Sequence, residues 1–156
     1  MVYDLDGDGR SEVACKTAPG TVDGAGAYVL LEGDDPRVDY RTPTGDQVVG
    51  TIMDGPEYLT VFDGETGAAL STVPYQPGRD ITRKWGDDKA NRSERYLACV
   101  AYLDGVHPSL VMCRGYYTNA YLAAYDFDGT QLKLRWFHRS ERKGKGLYGE
   151  GAHSLS

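Results

Sequence analysis

Residues 4–13, DLDGDGRSEV, carry carboxylates at alternating positions around two glycines. This spacing predicts a Ca²⁺ loop, because such a loop places oxygen ligands at its first, third, fifth, seventh and ninth positions. Gly9, at the sixth position, supplies the sharp turn that the loop needs. The predicted ligands are Asp4, Asp6, Asp8, the backbone carbonyl of Arg10, and Glu12.

The flanks of this loop exclude an EF-hand. The twelfth position is Cys15, where an EF-hand has a bidentate Glu. The runs on either side are short and rich in β-forming residues, with no helical period. We therefore predict that the loop lies at the tip of a β-hairpin. A solvated Asp-Gly turn without metal is the alternative.

Composition restricts the partners of the chain. Its 156 residues include 23 acidic and 17 basic side chains, for a net charge of −6. An acidic protein of this kind is not expected to bind nucleic acid or an anionic membrane surface. No apolar stretch approaches the length of a membrane span, so we expect no membrane partner.

The three cysteines, Cys15, Cys99 and Cys113, are an odd set, so at least one is unpaired. Each lies in an apolar, β-forming run, and we expect all three to be unpaired, small buried residues. The alternative is a disulfide between Cys99 and Cys113, which could face each other across a hairpin.

A repeat becomes visible when the sequence is shifted by 98 residues. LDGDGRSEVACK (5–16) aligns with LDGVHPSLVMCR (103–114), and the later copy lacks most of the acidic ligands. YLTVFDGETGAAL (58–70) likewise resembles YLAAYDFDGTQLKL (121–134). The repeated unit is four strands, predicted at 96–103, 109–115, 120–126 and 131–137 in the later copy. In the earlier copy the first strand ends at Asp4, and the others span 12–17, 58–63 and 69–74.

Four antiparallel strands repeated in tandem are typical of β-propeller blades. We predict an all-β chain of about two blades, the first at 1–74 with a long insertion at 18–57 and the second at 96–137. Residues 148–156 are expected to begin a third blade. Because strands alternate in direction, the long segments 18–57 and 75–95 share one face, which we predict to be the functional face.

Several spaced motifs resemble one family across the whole chain. These motifs are MVYDLDGDG, AxKTAxGTxDG, DGPEYLTVF, WGD followed by NRxxR, AYLDG, PSLVM and RGYY. They are similar to rhamnogalacturonan lyases of polysaccharide lyase family eleven. The resemblance implies an eight-bladed propeller rich in Ca²⁺ and secretion by bacteria that degrade pectin. It also implies cleavage of the acidic plant cell-wall polysaccharide rhamnogalacturonan-I by β-elimination, which leaves an unsaturated galacturonate. This chain would be an internal piece of the enzyme, inactive alone.

The chemistry implied by the resemblance needs local positive charge in an acidic protein. The C5 proton of a uronate becomes acidic only when Ca²⁺, Arg or Lys offsets the charge on the carboxylate. The catalytic base remains unassigned, and we expect it in blades outside this chain. The candidates for catalysis are Arg95, Arg114 and Lys16, and those for substrate binding are Arg92, Tyr96, Tyr116 and His153.

Each candidate has an alternative structural role. The cations could pair with nearby acids or cap loops, and Tyr116 and Tyr117 could pack rather than stack on sugar rings. By the family pattern, His153 takes the place of Tyr96 one blade further on. Thr17 and Asp23, in KTAPGTVDG, are candidates for a second metal site. The competing function is that of a non-catalytic, Ca²⁺-stabilised propeller for adhesion or glycan binding.

Overall fold

The computed structural model describes residues 1–44, 47–52, 54–79, 85, 91–117 and 119–139. These residues form ten β-strands and contain no α-helix, which confirms the predicted all-β class. The strands are β1 (Val2–Tyr3), β2 (Glu12–Thr17), β3 (Arg41–Thr44), β4 (Gln47–Ile52), β5 (Tyr58–Asp63), β6 (Ala69–Pro74), β7 (Tyr96–Ala101), β8 (Ser109–Arg114), β9 (Tyr121–Phe127) and β10 (Leu132–Arg139). Within these ranges, no helix is both long and apolar enough to cross a membrane.

Two four-stranded antiparallel sheets dominate the molecule. The first has the order β1-β2-β5-β6, and the second has the order β7-β8-β9-β10. Both follow the predicted sequence of four strands, with bounds within two residues of the predicted ones, and β1 ends one residue before the predicted Asp4. The predicted third repeat at 148–156 lies outside the described residues.

The insertion between β2 and β5 contains a hairpin that the sequence analysis did not predict. Strands β3 and β4 pair antiparallel as a separate two-stranded sheet. A two-stranded hairpin is only marginally stable alone, so its formation depends on its surroundings as well as on its own residues.

The two large sheets share one hydrophobic core. Side chains alternate along each strand, and the inward-facing set of each sheet packs against that of the other. Strand β8 is buried at all six positions because it is central, whereas most of the edge strand β10 is exposed. The buried core residues are Leu5, Ala14, Leu59, Val61, Tyr75, Leu110, Met112, Ala123, Tyr125, Phe127 and Leu132.

Polar contacts also join the two sheets. The amide of Leu132 in β10 donates a hydrogen bond to Oγ of Ser71 in β6, at 3.0 Å. The hydroxyls of Tyr3 and Tyr102 lie 2.9 Å apart. Because these contacts lie at different strands, they fix the relative position of the sheets at more than one point.

The cysteines are unpaired, as predicted. Cys99 pairs in register with Val111 and Cys113 pairs with Leu97, so the two thiols are diagonal neighbours rather than directly opposite. The expectation that all three are buried is confirmed only for Cys113, since Cys99 is half-buried and Cys15 is exposed. Its neighbour Ala14 takes the core side of β2, so Cys15 points to the outer face of the sheet.

Candidate functional site

The antiparallel strands separate the chemically interesting residues into two ends of the molecule. One end carries the loop of residues 4–12 and the β5–β6 turn, which are joined by an ion pair between Arg10 and Glu65 at 2.9 Å. At the other end β2 and β8 finish while β5 and β7 begin, as the register pairs Thr17 with Tyr58 and Tyr96 with Arg114. We call these the acidic-loop end and the cationic end.

The acidic loop is held in shape by its own side chains. Asp4 accepts hydrogen bonds from the amides of Gly7 and Gly9, at 2.8 and 3.0 Å. Asp6 accepts from the amide of Asp8, at 3.1 Å. Carboxylate oxygens of all three aspartates lie within 4.8 Å of one another. This donor set is made of hard oxygens, which suits Ca²⁺ better than a softer metal.

Glu12 closes the base of this loop. Its carboxylate accepts a hydrogen bond from the amide of Leu5 at 2.7 Å, and the residue is buried. Burial raises the pKa of Glu12, the Leu5 amide opposes that rise, and the nearby aspartates add to it. The arrangement concentrates negative charge, which a bound cation would offset.

Thr17 and Asp23 do not lie together. The hydroxyl of Thr17, at the cationic end, is 2.7 Å from that of Thr60. The carboxylate of Asp23 instead accepts the amides of Ala27 and Ala69, at 2.8 and 2.9 Å, beside the β5–β6 turn at the acidic-loop end. This corrects the expectation of a shared metal site, because a six-residue strand separates the two ends by about 17 Å.

A network of buried charges lies at the cationic end. Arg114, fully buried, donates from Nη1 to Glu57 at 2.6 Å and from Nη2 to Glu94 at 2.9 Å. Lys16 contacts the same two carboxylates at 2.7 and 3.2 Å. Arg79 also contacts both, at 3.0 and 3.3 Å. These residues, Lys16, Glu57, Arg79, Glu94 and Arg114, form what we call the buried ion network.

Tyr96 completes the network. Its hydroxyl donates to Glu94 at 3.0 Å and lies 3.3 Å from Glu57, while its ring lies beneath Lys16 and Arg114. Burial raises the pKa of Tyr96, and the two carboxylates contribute to the rise although Arg114 opposes it. The phenol therefore stays protonated and is engaged with acids inside the protein.

Burial alone would raise the pKa of Glu57, but Arg114 and Lys16 beside it lower the pKa overall. Burial would lower the pKa of Arg114, and Glu57 raises it overall. Each group thus keeps the other ionised within the interior.

These positions correct the role expected for Arg114 and place a second candidate cation, Lys16, beside two acids. Arg114 has no exposed surface, so it cannot meet a substrate carboxylate in this structure. Lys16 has a side chain only 23 % exposed, with both nearby acids already paired. Pairing with acids was the alternative role for these cations, but Glu57 was not among the predicted partners. The signal for a buried acid was the cation at or next to the end of the second strand in both repeats. Such a cation needs a buried counter-ion once the strands pack.

Four other residues form a partly exposed arginine–tyrosine surface at the same end. The rings of Tyr116 and Tyr117 lie 4.3 Å apart. Arg95 lies over Tyr116 at 4.9 Å and Arg92 over Tyr117 at 5.6 Å. Arg95 is exposed and Tyr117 is 40 % exposed. The surface combines cations with aromatic faces, which suits an anionic sugar chain: guanidinium groups bind carboxylates and rings pack on sugar C–H groups.

The backbone of this surface is unusual. Tyr117 has a φ of 62°, a conformation that a bulky residue rarely adopts. Such conformations cost free energy and concentrate at ligand-binding sites. This surface brings together Arg92 and Tyr116, both predicted to bind substrate, and Arg95, a candidate for catalysis. His153 lies outside the described residues.

The second copy of the acidic loop is stabilised without a cluster of acids. Asp104, which aligns with Asp6, accepts the amides of Val106 and His107 at 2.8 and 2.7 Å. The ring of His107 lies 2.9 Å from the same carboxylate, and Arg135 lies 3.5 Å from it. An imidazole and a guanidinium lie beside this aspartate, whereas the first loop gathers three carboxylates.

Comparisons with known proteins agree with the architecture. The chain is 54 % identical over 157 aligned residues to the rhamnogalacturonan exolyase YesX of Bacillus subtilis (strain 168). It is 46 % identical to the rhamnogalacturonan endolyase YesW of the same organism. All of this chain aligns in both cases, but it spans only 24 % of each relative's length.

Solved structures are similar in fold. The crystal structure of YesX superposes on 90 % of this chain and 22 % of its own, with a TM-score of 0.79. Bacillus licheniformis rhamnogalacturonan lyase PL11 covers 92 % of this chain and 23 % of its own at 50 % identity, with a TM-score of 0.81. The family model that matches residues 1–156 is described as rhamnogalacturonan lyase family 11, C-terminal domain. This chain therefore belongs to rhamnogalacturonan lyase family 11.

Proposed function

We propose that this chain forms part of an enzyme that cleaves rhamnogalacturonan-I by β-elimination, and that its arginine–tyrosine surface binds the substrate. The single observation that carries this assignment is the pairing, at a partly exposed surface, of Arg95 with Tyr116 and of Arg92 with Tyr117. Rhamnogalacturonan-I alternates galacturonate with rhamnose, so a surface that offers both cations and aromatic rings matches both sugars.

The chemistry assigns a definite role to the two arginines. In β-elimination a base removes the proton from C5 of galacturonate, and a double bond forms between C4 and C5. The C4–O4 bond breaks, and O4 leaves with the neighbouring sugar, keeps the electron pair of that bond and takes up a proton. Negative charge moves onto the carboxylate as the proton leaves. Guanidinium groups held close to that carboxylate stabilise this charge. Arg95 and Arg92 are suited to this task, whereas the buried Arg114 is not.

We also propose Ca²⁺ as the cofactor, held by Asp4, Asp6, Asp8, the carbonyl of Arg10, and Glu12. The support is the cluster of aspartate oxygens and the acid that closes the loop. The ion would neutralise a concentrated negative charge and fix the hairpin tip. Because the loop lies at the opposite end from the arginine–tyrosine surface, this ion's role is structural.

The repeat supports a propeller as the complete architecture. Two sheets with the same strand order, whose sequences repeat strand by strand, pack against one another as adjacent blades would. The parent protein would act outside the cell, since its polymeric substrate belongs to plant cell walls. The chain spans about a quarter of its curated relatives, so we expect no turnover from these 156 residues alone.

The test is turnover by the complete lyase that contains this chain. The unsaturated product absorbs near 235 nm, and the rate of absorbance increase measures cleavage. Arg95→Ala should lower kcat/KM about 10²-fold or more, since a positioned charge in such a site contributes several kcal/mol. Lys133→Ala is the matched control, because Lys133 is exposed and paired with Asp128 at the acidic-loop end.

Full activity in Arg95→Ala and Arg92→Ala would contradict the proposed role of the surface. The competing function, an adhesive or glycan-binding propeller without catalysis, predicts binding of the polysaccharide with no rise in absorbance. The match of the whole chain to a lyase family favours catalysis over that alternative.

A further inference from the structure

We infer that Arg114 is a positioning residue that holds the arginine–tyrosine surface in place. The inference rests on the proposed function only for its consequence, namely that loss of positioning weakens substrate binding. The positioning itself follows from hydrogen bonds that Arg114 and its neighbours make to the two segments of the surface, 91–95 and 115–117.

Arg114 anchors the first segment at its middle. Its Nε donates to the carbonyl of Ser93 at 2.9 Å, and its Nη2 donates to the carboxylate of Glu94 at 2.9 Å. Ser93 is fully buried, so the centre of the segment is fixed in the interior. Arg92 and Arg95 flank these anchored residues and lie over the tyrosine rings.

The second segment begins directly at Arg114. The amide of Gly115 donates to the carbonyl of Arg95 at 2.8 Å, and the amide of Tyr116 donates to the carbonyl of Arg92 at 3.2 Å. The two segments are therefore bonded to each other at their backbones, and the buried guanidinium holds the first of them directly. A shift of Arg114 would change the spacing of both arginines from both rings.

The site requires an arginine rather than any cation. Nη1 of Arg114 donates to Glu57 at 2.6 Å and also to the carbonyl of Pro77 at 2.7 Å, while Nε and Nη2 reach the segment. These partners lie around a planar, forked group. A lysine ammonium keeps the charge but has a single nitrogen, so it cannot span them.

The experiment compares Arg114→Lys and Arg114→Met in the complete lyase, with Lys16→Met as the control. Lys16 shares both carboxylates with Arg114 but donates no bond to the backbone of 91–95. The first readout is hydrogen exchange at the amides of Gly115 and Tyr116, compared with amides inside β8. The second is KM and kcat on rhamnogalacturonan.

We expect both Arg114 variants to exchange the Gly115 and Tyr116 amides about ten-fold faster or more, with β8 changed much less. KM should rise about ten-fold while kcat changes less. The KM of Arg114→Lys should lie between those of the wild type and Arg114→Met. In Lys16→Met, any loss of protection should be spread through the sheets rather than confined to these two amides.

Unchanged exchange at Gly115 and Tyr116, or an equal acceleration throughout both sheets, would overturn the inference. If Arg114→Met does not fold, hydrogen exchange at the same two amides of Arg114→Lys tests the inference. Faster exchange at the two amides with an unchanged KM would support the positioning role of Arg114. The same result would contradict the assignment of this surface to substrate binding.

Discussion

At the scale of single residues, the feature that most shapes this protein is a buried carboxylate, that of Glu57. It contacts Lys16, Arg79 and Arg114, and its side chain has no exposed surface. An isolated buried charge is very costly, so the cations are what allow Glu57 to remain ionised in the interior. The same contacts hold Arg114 in the interior, whereas Arg95 is exposed.

This pairing makes stability depend on acidity. The pKa of Glu57 lies below its ordinary value of 4.5 in the folded protein, so the unfolded chain binds the proton first as the pH falls. The stabilisation is therefore complete above about pH 4.5 and is lost as the pH falls through the folded-state value. Glu57→Gln should be about 3–5 kcal/mol less stable at pH 7, with a flatter pH profile.

Denaturant unfolding between pH 7 and pH 3 measures both effects. Glu65→Gln is the control, because its ion pair with Arg10 is exposed and such pairs contribute little. Parallel pH profiles for wild type and Glu57→Gln would show that Glu57 is not the titrating group.

At the scale of elements, each sheet has one loop that joins its first and second strands, and the two loops are stabilised in different ways. Both begin with the sequence Leu-Asp-Gly, and in both an aspartate accepts amides of its own loop. The first loop adds two further aspartates, which repel one another without a cation. In the second loop His107 and Arg135 stand beside Asp104.

We therefore predict that Ca²⁺ stabilises the protein through the first loop alone. Saturating Ca²⁺, at 100 times the dissociation constant, should raise the free energy of unfolding by about 2.7 kcal/mol relative to chelator. Asp8→Ala should abolish this increment, because it removes one carboxylate from the cluster.

Asp104→Ala is the matched control in the second loop. It should lower the melting temperature in the presence and absence of Ca²⁺ alike, leaving the increment intact. Thermal melts of the three proteins with Ca²⁺ and with chelator measure this, and an increment that survives in Asp8→Ala would argue against the proposed ligands.

The turn after β8 provides a second prediction at this scale. Gly115 has a φ of 92°, and a Cβ built there would lie 2.3 Å from Nε1 of Trp85 and 2.6 Å from the carbonyl oxygen of Asn119. Gly115→Ala should lower the melting temperature and raise KM, because both the backbone and its neighbours must move.

Gly26→Ala separates the cost of backbone strain from the cost of contact between an added Cβ and its neighbours. Gly26 has a similar φ of 84°, but a Cβ there meets no atom within 4 Å, so only the backbone strain of about 1–2 kcal/mol applies. Gly115→Ala should be clearly more destabilising than Gly26→Ala. Equal losses of stability would mean that contact with Trp85 and Asn119 is not the limiting factor.

At the scale of the whole molecule, the two sheets behave as one packing unit. The core draws Leu59 and Val61 from the first sheet and Leu110, Met112 and Tyr125 from the second. In the described part of the chain, the second sheet adds only a small separate cluster, in which Trp85 and Tyr121 pack with Phe137. Unfolding of one sheet therefore exposes the apolar face of the other, which couples their stabilities.

This coupling can be tested at Leu59, which has no exposed surface. Leu59→Ala should cost about 2–5 kcal/mol and should lower protection from hydrogen exchange in β8 and β9 as well as in β5. Leu70→Ala is the control, since Leu70 is 38 % exposed on an edge strand. Loss of protection limited to the first sheet would show that the two sheets unfold independently.

The sequence by itself determined the repeated strand pattern, the hairpin that carries the acidic loop, and the family. These are local properties: alternation of apolar residues, turns formed by Asp and Gly, and ligand spacing along one loop all act over a few neighbouring residues. For this reason the strand bounds predicted from the sequence agree closely with the observed ones. The candidate ligands from Asp4 to Glu12 likewise needed no long-range contact for their prediction.

Only the tertiary structure decided which cations face solvent. Arg95 and Arg114 lie near strand ends at the same end of the molecule, and nothing in their immediate sequence separates an exposed role from a buried one. The difference arises because Glu57, 57 residues away from Arg114, enters the interior between the sheets and binds that guanidinium. Long-range packing also placed Thr17 and Asp23 at opposite ends, since the path of the chain through the insertion sets their distance.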